Sequence, residues 1–191
     1  MPTLLRPALT LFATLSMLVG LAYPLAVTGI AHAAFPDQAG GSLIQRNGQP
    51  IGSRLIGQAF TSPRYIWGRP SATTPMPNNG AGSGGSNLGP LNPAQLDAVR
   101  ARLAALHEAD SDNRATVPVD LVTASASGLD PDISVAGARY QAGRVARARG
   151  LREADVLALI EQQRSTRVAG VFGEPHVNVL ELNLALDALK P

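Results

Sequence analysis

Apolar side chains fill positions 8 to 30 without a single charge, through Leu11, Phe12, Leu15, Leu18, Val19, Leu21, Leu25 and Val27, while the chain beyond Phe35 mixes apolar and polar positions. A bilayer core about 30 Å thick is crossed by roughly 20 apolar residues in a helix rising about 1.5 Å per residue, so this run is long enough to span it once. A cleaved secretory signal is the rival reading, with Ala31-His32-Ala33-Ala34 as an A-x-A site and Arg6 as a sparse basic start. The apolar core of a signal is about 7 to 15 residues long, and this run exceeds that with Tyr23-Pro24 inside it, so the pattern favours a retained anchor. The anchor is assigned to residues 1–34, with the span at about 8–30. Arg6 ahead of the span weakly favours a cytoplasmic N-terminus and an extracytoplasmic C-terminal domain over 35–191.

Past the span, Gly41–Arg46 and Gln49–Ile56 read as two strands around Asn47-Gly48, a pair that tolerates the positive φ of a tight hairpin turn. Residues 72–91 are dense in Gly, Pro, Ser and Asn and read as a surface loop. Asn92-Pro93 opens a helix with Leu96, Val99, Leu103 and Leu106 at helical spacing, ending near Glu108. Val117–Ser125 reads as a strand leading into a turn at Ser127–Asp132. Ser134 caps a helix to about Arg149, Gly150 breaks it, and a second helix covers about Glu153 to Arg164. In the tail, Asn178 with Glu181 three residues on forms a capping-box pattern ahead of an apolar face of Val179, Leu182, Leu186 and Leu189. The fold class is α+β: one transmembrane helix, then a single mixed α/β domain of about 155 residues, enough for one core.

Composition then removes whole classes of chemistry. The chain lacks cysteine, and fifteen of its sixteen cations are arginine; the one lysine, Lys190, is followed by the terminal Pro191. A phosphate-binding G-x-x-x-x-G-K-[ST] loop is therefore absent, as are Cys nucleophiles and Cys-ligated metals, and there is no G-x-S-x-G or H-E-x-x-H. Only His32, His107 and His176 are available for acid–base work, and none has an acid and nucleophile at a recognisable spacing. Asp110-Ser111-Asp112-Asn113 opens like a calcium loop, but Ala115 stands where a Gly is needed and Leu121 where a Glu closes the site.

Three features keep functional readings. Ser83-Gly84-Gly85-Ser86 presents successive amides that suit either an anion-holding nest or a docking loop. Arg139, Arg144, Arg147, Arg149 and Arg152 make a basic helix–Gly–helix, read as a solvated or partner-facing patch because an anchored extracytoplasmic domain does not meet nucleic acid. Asp130 and Asp132 are exposed acids able to raise the local cation concentration, and the aromatics of the 60–70 stretch, Tyr65 and Trp67 above all, are candidates for core or interfacial anchors. Within the span, Ala13, Ser16, Gly20 and Gly29 offer small residues for close helix packing in lipid.

Arg6-Pro7-Ala8, Leu55–Gln58, Gly68–Ala72, Ser83–Leu88, Asp120–Asp130 and Leu180–Asp187 together resemble, in order and over nearly the whole chain, the C subunit of the bacterial Kdp-type potassium-transporting ATPase. The resemblance implies a non-hydrolysing accessory subunit of a high-affinity, ATP-driven potassium uptake complex in the bacterial inner membrane. Its implied partners are a potassium-channel-like subunit, a P-type ATPase subunit and a small single-helix subunit. Family members have been described as catalytic chaperones that raise the ATP affinity of the hydrolysing subunit, which implies ATP as a ligand of Ser83, Gly84, Gly85 and Ser86. With the N-terminus cytoplasmic, that loop lies across the membrane from cytosolic ATP, and Ser86 stands where the cassette-transporter signature has Gln. An anchored or secreted binding module or enzyme acting alone is the competing class; it requires a self-sufficient site.

Overall fold

A computed structural model describes residues 2–189 of the chain. They form two compact units, Met1–Ile51 and Gly52–Pro191.

The first unit is dominated by one apolar helical run, Thr3–Ala34, of 32 residues, about 48 Å of helix and long enough to cross a bilayer core. It consists of α1 (Pro2–Met17), a π-helical turn at Leu18–Ala22 and α2 (Tyr23–Ala34). Pro24 explains the turn. It has no N–H to donate and its ring collides with the carbonyl four residues back, so the backbone widens just ahead of it and the Tyr23 N–H reaches the Leu18 oxygen, five residues away. Its large apolar side chains stand exposed, Phe12 at 72% and Leu25 at 70%, a surface suited to lipid and not to water. A single turn, α3 (Pro36–Ala39), precedes the antiparallel hairpin of β1 (Leu43–Arg46) and β2 (Gln49–Ser53). Asn47 and Gly48 take φ of 54° and 75°, the positive values that a two-residue hairpin turn demands.

In the second unit, α4 (Pro93–Ala109) starts as the sequence predicts, with the Asn92 side chain accepting the Ala94 N–H at 3.0 Å. A three-stranded antiparallel sheet has the order β3 (Asp132–Ser134), β5 (His176–Asn178), β4 (Arg164–Ser165), with Ile133 opposite Val177. Two strand–helix units share one design. Ser134 ends β3 and caps α5 (Val135–Arg149) through Gly137 N–H, while Asn178 ends β5 and caps α7 (Val179–Ala188) through Glu181 N–H. Between them, Gly150 closes α5 at φ 68° and α6 (Glu153–Gln162) packs back on α5. The main core joins Ile133 and Val177 of the sheet to Ala138, Ala142 and Val145 of α5, Val156 and Ile160 of α6, and Leu182 and Leu186 of α7. A second cluster places Tyr140 of α5 against Leu106 of α4 and Leu121 and Val122.

Two local expectations are corrected. Val117–Ser125 is no strand: after Pro118, which has no ladder donor, Val119–Leu121 makes a 3₁₀ turn and Thr123 folds back with both its N–H and Oγ1 on the Val119 carbonyl. The helix expected to reach Arg164 stops at Gln162 because Arg164 and Ser165 are drawn into the sheet beside β5.

Candidate functional site

Residues 54–91 contain no helix or strand, yet they pass through the centre of the second unit with Ile66 fully buried. Buried backbone N–H and C=O groups need partners, and here helix side chains supply them. Asn183 of α7 accepts the Ile66 N–H at 2.8 Å and donates to the Ile66 oxygen at 2.9 Å. Gln141 of α5 repeats this one residue on, accepting the Trp67 N–H at 2.9 Å and donating to the Trp67 oxygen at 3.1 Å. Each amide thus imitates a neighbouring strand for one residue.

Two arginines of α5 complete the clamp. Arg144 donates to the Pro63 oxygen at 2.7 Å, the Tyr65 oxygen at 3.1 Å and Gln141 Oε1 at 2.6 Å, and its guanidinium lies 4.2 Å from the centre of the Trp67 ring. Burial pulls its pKa down to about 10, so it stays charged at neutral pH, held by oxygen dipoles and an aromatic face. Arg149, 4% exposed, donates to the Arg64 and Leu186 oxygens and to Asp187 at 2.9 Å, beneath the Tyr65 ring.

The start of the Gly- and Pro-rich loop is held just as closely. Ser71 Oγ accepts the Asn78 N–H at 2.9 Å and donates to the Gly128 oxygen at 2.7 Å, while Thr73 Oγ1 accepts the Asn79 N–H and donates to the Met76 oxygen. Of the four predicted site residues, Ser83 and Ser86 are exposed and Gly84 and Gly85 half-buried. The Gly84 N–H and the Ser83 hydroxyl both donate to the Ser127 oxygen, at 2.9 and 3.0 Å, and a Cβ on Gly85 would lie 2.7 Å from the Ala126 oxygen. These donors are spent on the turn at 126–128. Gly128 has φ 68° and faces the Gly84 oxygen, 2.5 Å from where a Cβ would stand. Gly128→Ala is expected to lose about 1–2 kcal/mol from the left-handed conformation alone. The check is the urea unfolding midpoint together with proteolytic nicking within 80–90; an unshifted midpoint would show that the loop and turn are not tightly joined.

The candidate acids sit in a notch shared with Arg69 and His176. Asp130 pairs with Arg69 at 3.1 Å, and Asp132 lies 3.8 Å from His176 Nε2. Burial raises the Asp132 pKa while His176 and an Asn178 hydrogen bond oppose the rise. Asp120 is committed to the backbone, accepting the Ser134 N–H at 2.7 Å.

Comparison with known proteins decides what this architecture belongs to. Residues 5–188 match the model of the family described as KdpC, K+-transporting ATPase, c chain. Relatives named potassium-transporting ATPase KdpC subunit include one from Methylibium petroleiphilum, 65% identical over 191 residues and covering all of both chains. Others come from Polaromonas naphthalenivorans, 64% identical over all of this chain and 97% of its own, and Herminiimonas arsenicoxydans, 60% identical over 98% of each. The chain belongs to the KdpC family. It is an accessory subunit of the potassium uptake complex.

For a KdpC chain, the arginine-rich helix pair is the least expected part of the site. Arg139, Arg147 and Arg152 form the solvated face that the sequence suggests, each paired with an acid (Glu161 at 2.6 Å, the buried Asp110 and Asp155), whereas Arg144 and Arg149 turn inward to the clamp. Asn183 and Gln141 went unnoticed as functional parts because polar positions in an apolar helix pattern read as solvent-facing. Trp67 packs against the second core cluster and Tyr65 is a half-buried ring near Phe60, each with a buried arginine on its face.

Proposed function

We propose that this chain is a single-pass, non-hydrolysing subunit whose N-terminus is cytoplasmic and whose Gly52–Pro191 unit stands outside the membrane against a potassium-channel-like subunit, near a P-type ATPase subunit and a small single-helix subunit. The full-length match to KdpC relatives carries this reading, and the exposed apolar helix supports it by supplying a surface that only lipid or partner helices cover. The Ser83–Ser86 loop serves the complex as a docking surface in place of a nucleotide cradle, because its Gly84 amide and Ser83 hydroxyl are already bonded to Ser127. Asp130, paired with Arg69, and Asp132, beside His176 and hydrogen-bonded by Asn178, act as local tethers in preference to bare focusing charges.

The test is protease protection in sealed inner-membrane vesicles of known sidedness, with a tag at each end. In right-side-out vesicles, external protease is expected to remove the C-terminal tag and spare the N-terminal one; the reverse pattern overturns the orientation. Mild detergent extraction of the tagged chain from cells expressing its complex should bring two larger membrane polypeptides with it. A mature chain starting near Phe35 and free of membrane would restore the rival reading of a protein acting alone.

A further inference from the structure

A pocket of about 320 Å³ opens between α4 and the clamped segment, within the usual size range for small-molecule sites. Its walls are mostly apolar or flat, with Phe60, Trp67, Pro70, Pro77, Leu106 and Leu121 among them, and its cationic groups are Arg69 and Arg102. The two arginines differ. Arg69 already faces Asp130, whereas Arg102 donates only to the Val122 carbonyl, at 2.8 Å, and has no carboxylate within ion-pair distance among the described residues. Desolvation lowers the Arg102 pKa, the signature of a cation taken partly out of water without a compensating charge. A cation held partly out of water with no opposing charge costs free energy that an entering anion removes.

We infer that this pocket binds a small organic monoanion, a carboxylate on a flat apolar body, with Arg102 taking the carboxylate and the aromatic and proline walls taking the ring. A planar guanidinium offers paired N–H donors that match a carboxylate's two oxygens, and a single free cation suits one negative charge better than a phosphate's two. The inference goes beyond the subunit assignment, which stands whether or not the pocket fills.

Trp67 is the only tryptophan in the chain and lines the pocket, so its emission is a built-in reporter. The full-length chain in neutral detergent is titrated with sodium benzoate and, in parallel, with benzamide, its uncharged near-isostere, at constant ionic strength. The expected result is a saturable change of Trp67 emission with benzoate and a response at least about tenfold weaker with benzamide, the ratio a charge-assisted hydrogen bond supports. Arg102→Gln should weaken benzoate about tenfold, with the urea midpoint confirming the fold. Ala105→Phe, which narrows the pocket from the α4 side without touching charge, should weaken benzoate and benzamide alike. Equal responses to benzoate and benzamide, no saturable response, or a benzoate curve unchanged in both variants would each overturn the inference.

Discussion

Replacing Asn183 by Leu is expected to destabilise the Gly52–Pro191 unit by about 2–5 kcal/mol, although the two side chains have nearly the same branched shape. Leucine is larger than asparagine, so a cavity is not the cause. What disappears is the pair of hydrogen bonds to Ile66, leaving its N–H and C=O buried without partners. Each orphaned backbone group costs about 1–3 kcal/mol, offset in part by the greater apolar burial of Leu. Urea unfolding of the full chain in detergent, followed through Trp67 next door, measures the loss. A shift under about 0.5 kcal/mol would show that Ile66 finds water or another partner, and that Asn183 does not stand in for a strand. Asn183→Asp should be no rescue: a carboxylate still accepts from the Ile66 N–H but sets a negative oxygen against its carbonyl.

That single asparagine matters because of what it holds. A segment from 54 to 91 with no ladder of its own cannot enter a core unless something pairs its backbone, and here α5 and α7 do so with Gln141, Arg144, Arg149 and Asn183. The clamp fixes the 58–71 stretch that walls the pocket, and the Ser71 and Thr73 hydroxyls pass that order on to 76–79. From there Ser83 and Gly84 are tied to the turn at 126–128. The 83–86 loop is thus positioned by a chain of polar contacts that starts at the buried face of two helices. Coupling energies along that chain are open to double-variant cycles, and Gln141 and Asn183, grasping consecutive residues, should be non-additive.

Local signals explain which of these features were readable beforehand. The Asn47-Gly48 turn, the Asn92, Ser134 and Asn178 caps and the Gly150 stop each depend on a residue type matched to one backbone conformation, so neighbours in sequence were enough. The charge-free stretch to Ile30 is plain for the same reason, whereas the π turn ahead of Pro24 lies in the backbone hydrogen bonding and leaves no mark in the residue pattern. Strands of two or three residues such as β3, β4 and β5 carry too few positions to show a period of two, and they exist only because distant segments pair. The clamp was hidden more deeply. Gln141 and Arg144 lie on the helix face that meets the 62–67 segment, and a helix pattern alone cannot tell a polar residue facing solvent from one facing a backbone that needs donors. The long 72–91 loop looked loose because Gly, Pro and Ser are counted as flexible, while Ser71 and Thr73, just at its edge, do the fastening.

Arg149→Met is expected to be the costliest single change in the clamp, at about 3–5 kcal/mol, the range for removing one partner of a buried ion pair. The reasons are countable. At 4% exposure Arg149 reaches three acceptors on two segments, the Arg64 oxygen, the Leu186 oxygen and the Asp187 carboxylate, and it also underlies the Tyr65 ring. Methionine keeps much of the apolar stem but supplies no donor, so the Arg64 and Leu186 oxygens lose this donor together. Lysine separates charge from shape. Arg149→Lys restores a cation for Asp187, yet one ammonium on a flexible stem cannot span the fork geometry that serves two carbonyls and a carboxylate, so it should recover less than half of the loss. Asp187→Asn tests the other side: its site is more open, with the Asp187 side chain 24% exposed, and water can take over part of its role, so a smaller effect is expected. Urea unfolding of the three variants should rank Arg149→Met below Arg149→Lys below Asp187→Asn in stability. If lysine matched arginine, charge alone would account for the contact, and the forked hydrogen bonding that ties α5 to the Tyr65 segment and to the end of α7 would carry no weight.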